Sequence, residues 1–251
     1  MKKQRKFILF DLDGTLVPLA RERFEPALFQ NLDAMFRRKF PGQPLAQEAL
    51  KRASLACFHT GDPAETNEAR LKRLLVQEAG APLAEEVLRA LEAHYASDYN
   101  QIRTIIQDRS IAVEALELVR QYGAVPVVAT NPISPASCIH ARMAWAGITP
   151  EQFALVTTYD KFHYTKPDPR YYLEVLQQLG ARPEECLMIG NDTDEDMEGA
   201  IGAGIEAYLM TDFVMDRRDS VARYRHGTAR EMLAFLEQFL ARGAEAWQEK
   251  N

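Results

Sequence analysis

The chain has 251 residues, 47 % hydrophobic and 26 % charged, the composition of a globular protein that is one domain with an insertion or two modest domains. Its net charge is −6, from 30 Lys and Arg against 36 Asp and Glu, and it has no long basic run. It therefore lacks the phosphate-neutralising surface of a nucleic-acid binder. Three separated cysteines, Cys57, Cys138 and Cys186, match no metal spacing and, being odd in number, fit a reducing compartment.

The basic start Met1-Lys2-Lys3-Gln4-Arg5-Lys6 resembles that of a signal peptide, but only four apolar residues separate it from Asp11, too few for an h-region. No segment approaches a membrane span, so the sequence predicts a cytoplasmic protein. Residues 6–11 predict a buried strand. Asp11 and Asp13 close it, and side chains two apart on a strand point the same way. Two carboxylates that close repel unless a cation or a shared proton offsets them. The pair points to a divalent-metal site with one carboxylate free to act as nucleophile. The plainer alternative is a strand ending in a polar turn, which Gly14-Thr15 would supply.

Residues 18–107 predict helices and no strands. Phe24, Leu28, Leu32, Phe36 and Phe40 form one helical stripe, ended by Pro41-Gly42 and Pro44. Leu71, Leu74 and Leu75 mark another helix, closed by Gly80. Leu83, Val87, Leu91, Tyr95 and Ile102 mark a third, long one. From residue 108 the pattern alternates. Ser110 caps a helix running to Gly123, and Val125 to Ala129 is a strand ending at Thr130-Asn131. Ser134-Pro135 reads as an N-cap followed by proline at the first helical position. Ala154 to Thr158 is a strand, Asp168-Pro169 starts a helix that Gly180 ends, and Cys186 to Gly190 and Ile205 to Leu209 are strands. The polar tail from Ala241 is expected to fray. This alternation implies an α/β fold, a doubly wound, mostly parallel sheet covered on both faces.

Ligands of such sheets sit beyond the carboxyl ends of the strands. There the chain places Asp11, Asp13, Thr130, Asn131 and the acidic run Asp192 to Asp196, with Lys166 just before a helix start. Carboxylates, a hydroxyl, an ammonium and a helix N-terminus at one edge can hold a phosphate and Mg²⁺ together. Each group also has an ordinary role: Thr130 as a strand-end hydroxyl, Lys166 as a solvated lysine, and the acidic run as a helix cap and first turn.

Four motifs in order carry a resemblance: Asp11-Leu12-Asp13-Gly14-Thr15, Thr130 after an apolar strand, Lys166-Pro167-Asp168-Pro169, and Gly190-Asn191-Asp192-Thr193-Asp194-Glu195-Asp196. Spanning residue 7 to about residue 200, the chain resembles the haloacid-dehalogenase-like hydrolase superfamily, and its helical insertion resembles a C1 cap. The resemblance implies a Rossmann-like core of residues 1–17 and 108–251 and a mobile helical cap of residues 18–107, hinged near residues 16–19 and 106–110. It implies that Asp11 attacks phosphorus and that Asp13 serves as acid and then base. Mg²⁺ would be held by Asp11, the Asp13 carbonyl and Asp192; Thr130, Asn131 and Lys166 would bind phosphate, and Asp196 would orient its neighbours. Dehalogenases of the superfamily lack the second acid, so Asp13 favours a phosphatase acting on a small phosphate ester. A sugar phosphomutase and a non-catalytic phosphate-sensing protein on the same fold are the alternatives. Asn191 departs from the glycine of many relatives and is expected to change loop geometry. Arg21, Arg23, His59, Asn67 and Arg70 are candidates for substrate choice; His163 is expected to serve locally; the oligomeric state is not readable.

Overall fold

The computed structural model describes residues 6–58, 61–106 and 110–248. Six strands form one parallel sheet: β1 (Phe7–Phe10), β2 (Val125–Val128), β3 (Leu155–Val156), β4 (Cys186–Gly190), β5 (Glu206–Met210) and β6 (His226–Gly227), in the order β3-β2-β1-β4-β5-β6. β1 is central, with Phe10 opposite Val128 on one side and Ile189 on the other. Its alternation is that of a strand covered on both faces: Ile8 and Phe10 enter one hydrophobic cluster and Leu9 the other. The chain leaves β1 in one direction to β2 and reaches β4 on the other side, so the end of β1 is a topological switch point.

Between β1 and β2 lie α1 (Arg21–Lys39), α2 (Pro44–Phe58), α3 (Asn67–Ala79) and α4 (Ala81–Tyr95), with a third hydrophobic cluster of their own. No strand occurs there among the described residues. Helix α2 was not predicted, because its buried stripe is small: Ala46, Ala49, Ala53 and Cys57. The long third helix is interrupted. Ser97 leaves helical backbone (φ −133°, ψ −91°), its hydroxyl donates to the Ala93 carbonyl, and a 3₁₀ helix follows over Asp98–Ile105. The second hinge segment lies partly outside the described residues, but Ser110 Oγ donates to the Leu16 carbonyl at 2.7 Å, tying the return strand of chain to the exit from β1.

The remaining helices are α5 (Ala112–Gln121), α6 (Ala136–Trp145), α7 (Pro169–Leu179), α8 (Gly199–Gly202) and α9 (Ala229–Gln248). Asp168 caps α7 by accepting from the Arg170 amide, and Gly180 ends it with left-handed backbone (φ +61°). The Ser134-Pro135 cap is shifted by one: Pro135 is the N-cap and no side chain caps the helix. Of the polar tail expected to fray from Ala241, residues 241–248 are helical, as the end of α9, and residues 249–251 lie outside the described residues. Met232, Leu236 and Leu240 are buried at four-residue spacing, and α9 continues to Gln248.

Candidate active site

Asp11 leaves β1 with its amide still bonded to the Ile189 carbonyl, which fixes the carboxylate at the sheet edge. Lys166 Nζ lies 2.8 Å from Asp11 Oδ1 and 2.6 Å from Asp196 Oδ1, all three side chains being buried. Burial pushes the Asp11 carboxyl well above the usual carboxylate range, against the pull of Lys166. Burial disfavours the Lys166 ammonium too, but Asp11 and Asp196 together hold its pKa well above the ordinary lysine value. The lysine follows β3, and its peptide bond to Pro167 is cis. Asp196 uses its other oxygen to accept from the Asn191 and Asp192 amides at 2.9 and 3.0 Å. Gly190 is required beneath it, since a Cβ there would lie 2.2 Å from Asp196 Oδ2.

Asp13 sits in the turn after β1, its side chain one-third exposed. Gly14 has φ +82° and passes so close to Asn191 that a Cβ would meet Asn191 Nδ2 at 2.2 Å. The Asn191 side chain donates to the Phe213 carbonyl at 2.6 Å, so the residue that departs from the family pattern joins the Asp13 turn to the loop after β5. The sequence reading missed Arg142. On α6, and buried, it approaches Asp13 Oδ1 with Nε at 3.1 Å while its Nη1 donates to the Tyr99 hydroxyl at 3.1 Å. An arginine on the same helical face as Cys138, Ile139 and Trp145 was the available signal.

Asp192 Oδ1 accepts from the Asp194 and Glu195 amides, so Asp192 caps the acidic turn and Asp194, Glu195 and Asp196 form its first turn. Arg217, also missed, donates to both Asp192 oxygens at 3.0 and 2.9 Å. Burial raises the Glu195 carboxyl to about 7, and Asn131 Nδ2 donates to it at 3.0 Å. Asn131 Oδ1 also accepts from the Lys166 amide at 3.3 Å. The Thr130 carbonyl is held by Thr157 and Tyr171 hydroxyls at 2.6 and 2.9 Å, which fixes the end of β2. Thus Asp11, Thr130, Asn131, Lys166, Asp192 and Asp196 meet at the predicted edge, with Asp13 beside them.

Above this edge opens a cavity of about 590 Å³ walled by Asp11, Asp13, Thr130, Asn131 and side chains of α1–α4. Of the candidates for substrate choice, Arg21 lines it. Asn67 and Arg70 do not: both are buried, and Arg70 bonds to Asn67 Oδ1 and to the carbonyls of Asp62, Glu65 and His163. Arg23 is exposed outside the wall, and His59 lies outside the described residues. His163 has the expected local role, Nδ1 lying 2.6 Å from Glu174 Oε1.

A family model of haloacid dehalogenase-like hydrolases matches residues 6–204. The chain belongs to that family. Among curated members, it is 28 % identical over 214 residues to the ribulose-1,5-bisphosphate 5-phosphatase of Halopiger xanaduensis, covering 80 % of this chain and 83 % of that one. It is 28 % identical over 206 residues to the phosphoglycolate phosphatase of Pectobacterium atrosepticum, covering 81 % and 79 %. Of solved structures, a 2-haloacid dehalogenase from Pseudomonas syringae pv. tomato superposes with a TM-score of 0.60 at 18 % identity, over 97 % of this chain and 99 % of the other. The magnesium-bound HAD hydrolase YfnB of Bacillus subtilis superposes with a TM-score of 0.54, also at 18 % identity, over 92 % and 98 %. The HAD fold, with its parallel sheet and inserted helices, is thereby confirmed. Among the described residues no helix is long and apolar enough to cross a membrane.

Proposed function

We propose that the protein is a Mg²⁺-dependent phosphatase that hydrolyses a small phosphomonoester through an aspartyl-phosphate on Asp11. The observation that carries the reading is the Asp11 carboxylate held by Lys166 at the switch point of the sheet, with Asp13 two residues on. Lys166 occupies one oxygen of Asp11, and the other attacks phosphorus as the bond to the leaving oxygen breaks. Asp13 passes its proton to that oxygen. It then takes a proton from water, which attacks phosphorus and breaks the bond to Asp11. Thr130, Asn131 and Lys166 bind the phosphoryl oxygens, and Asp196 positions Lys166 and the loop amides.

The donor set fits magnesium. Asp11, Asp192 and the Asp13 carbonyl offer hard oxygens only, the donor type that magnesium takes. Burial raises the Asp11 and Glu195 carboxyls, because charge is costly in this desolvated place, and a bound cation would relieve that cost. When bound, Mg²⁺ supplies positive charge for the transferring phosphoryl group. In this reading residues 18–107 are the cap that covers the edge and 1–17 with 108–251 the core, in a cytoplasmic enzyme.

The test is turnover of p-nitrophenyl phosphate with Mg²⁺ by the wild type and by Asp11→Asn, which keeps shape and removes the attacking charge. The variant should lose several orders of magnitude in kcat, on the scale of a lost covalent nucleophile. Near-normal turnover by a contaminant-free variant refutes the assignment, and inactivity of the wild type leaves a phosphate-sensing protein instead.

A further inference from the structure

We propose that the ester taken by this site has an uncharged, largely apolar leaving group, an alkyl or aryl phosphate and not a phosphorylated acid or a bisphosphate; the inference rests on the phosphatase reading above. Beyond the strand ends, the cavity wall is built mainly from aliphatic side chains of all four inserted helices, among them Leu28, Leu50, Leu71 and Leu88. Two more, Phe29 and Leu55, are 64 % and 53 % exposed although they line the same cavity. Large apolar side chains left in water at the mouth of a polar site gain when an apolar group covers them.

The charges point the same way. Among the described residues, the helical side of the wall holds one cation, Arg21, and two carboxylates, Glu25 and Glu92. Arg21 is already engaged, its Nε 2.5 Å from Glu25 Oε1. A second anion on the substrate would face one paired guanidinium and two carboxylates among leucines, and would lose its hydration without compensation. The remaining polar groups of the helical side, Ser54 and Tyr95 among them, are neutral hydroxyls. Phosphoglycolate and ribulose 1,5-bisphosphate, the esters in the relatives' names, both carry such a second anion.

A series of n-alkyl phosphates decides it, because leaving-group basicity is constant while the tail lengthens. With Mg²⁺, kcat/KM should rise about fourfold per methylene from methyl through butyl to octyl phosphate, the value of a buried methylene. Phosphoglycolate and a pentose bisphosphate should fall at least tenfold below butyl phosphate. Leu55→Glu, at an exposed position where folding tolerates it, should lower the octyl-to-methyl ratio about tenfold. A flat series, a preference for either doubly anionic ester, or an unchanged ratio in Leu55→Glu overturns the apolar assignment while p-nitrophenyl phosphate turnover keeps the phosphatase reading. Failure to turn over any ester, the aryl one included, overturns both.

Discussion

At the scale of residues, two buried cations divide the labour between the two first-motif carboxylates. Lys166 touches Asp11 and Asp196, so Lys166→Met removes an electrostatic stabiliser and leaves two buried acids facing each other. It should cost a factor of about 10² or more in kcat/KM, whereas Asp196→Asn, which keeps an oxygen for the loop amides, should cost less. Steady-state kinetics on folded variants, checked by circular dichroism, decides; a Lys166→Met enzyme near wild type would make the lysine an ordinary ion-pair partner. Arg142 stands in the same relation to Asp13. It touches no substrate-facing group except that carboxylate, and is a positioning residue. Arg142→Met should lower kcat/KM about tenfold more for an alkyl phosphate, whose leaving oxygen needs a proton, than for p-nitrophenyl phosphate, whose leaving group does not. Equal losses on the two esters would show a structural role only. The acids and the lysine were legible because each ends a strand or precedes a helix start, places fixed by local pattern. Arg142 and Arg217 were not, since their meaning comes from a helix packed across the sheet edge and from a loop after β5, contacts that no local spacing announces.

At the scale of elements, the sheet and its order of motifs were readable because parallel strands are continuous apolar runs ending in polar residues. The helices were readable only where their stripes were large. α2 hides behind alanines, and the break at Ser97 is invisible because Leu91, Tyr95 and Ile102 keep an approximate helical spacing across it. The acidic turn shows the opposite case, an element whose residues do several things at once. Asp192 caps it, Asp196 binds its amides, and Gly190 admits the Asp196 carboxylate. Gly190→Ala would drive a methyl into that carboxylate, with Asp196 Cγ at 2.3 Å and Cβ at 2.6 Å as well. Overpacking of this kind costs about 1–3 kcal/mol. The expected result is a lower thermal midpoint together with a fall of at least tenfold in kcat/KM, because Asp196 must move away from Lys166. A variant that loses stability but keeps its kinetics would show that Lys166 does not depend on Asp196 for its place.

At the scale of the whole molecule, the edge of the sheet concentrates negative charge that the fold offsets only in part. Asp11, Asp13, Asp192, Glu195 and Asp196 face Lys166, Arg142 and Arg217, and burial holds the Asp11, Asp13 and Glu195 carboxyls above their ordinary values. Asp11 comes from β1 and Asp192 from the turn after β4, so the proposed cation would add a link between two loops already joined by Lys166, which bridges Asp11 and Asp196, and by the Thr15–Asn191 hydrogen bond. A cation bound there favours the folded chain over the unfolded one, which holds no such pair of oxygens. At a hundred times its dissociation constant, Mg²⁺ should stabilise by about 2.7 kcal/mol. For a chain of this size that raises the thermal midpoint by about 5–10 °C. Chelation should therefore abolish phosphatase activity and lower the midpoint together, and both should return on adding Mg²⁺. Asp192→Asn should blunt the thermal response to Mg²⁺ by weakening one of the two carboxylate ligands, a readout independent of turnover. Full activity after exhaustive chelation, or a midpoint that ignores Mg²⁺ in the wild type, would contradict the metal site.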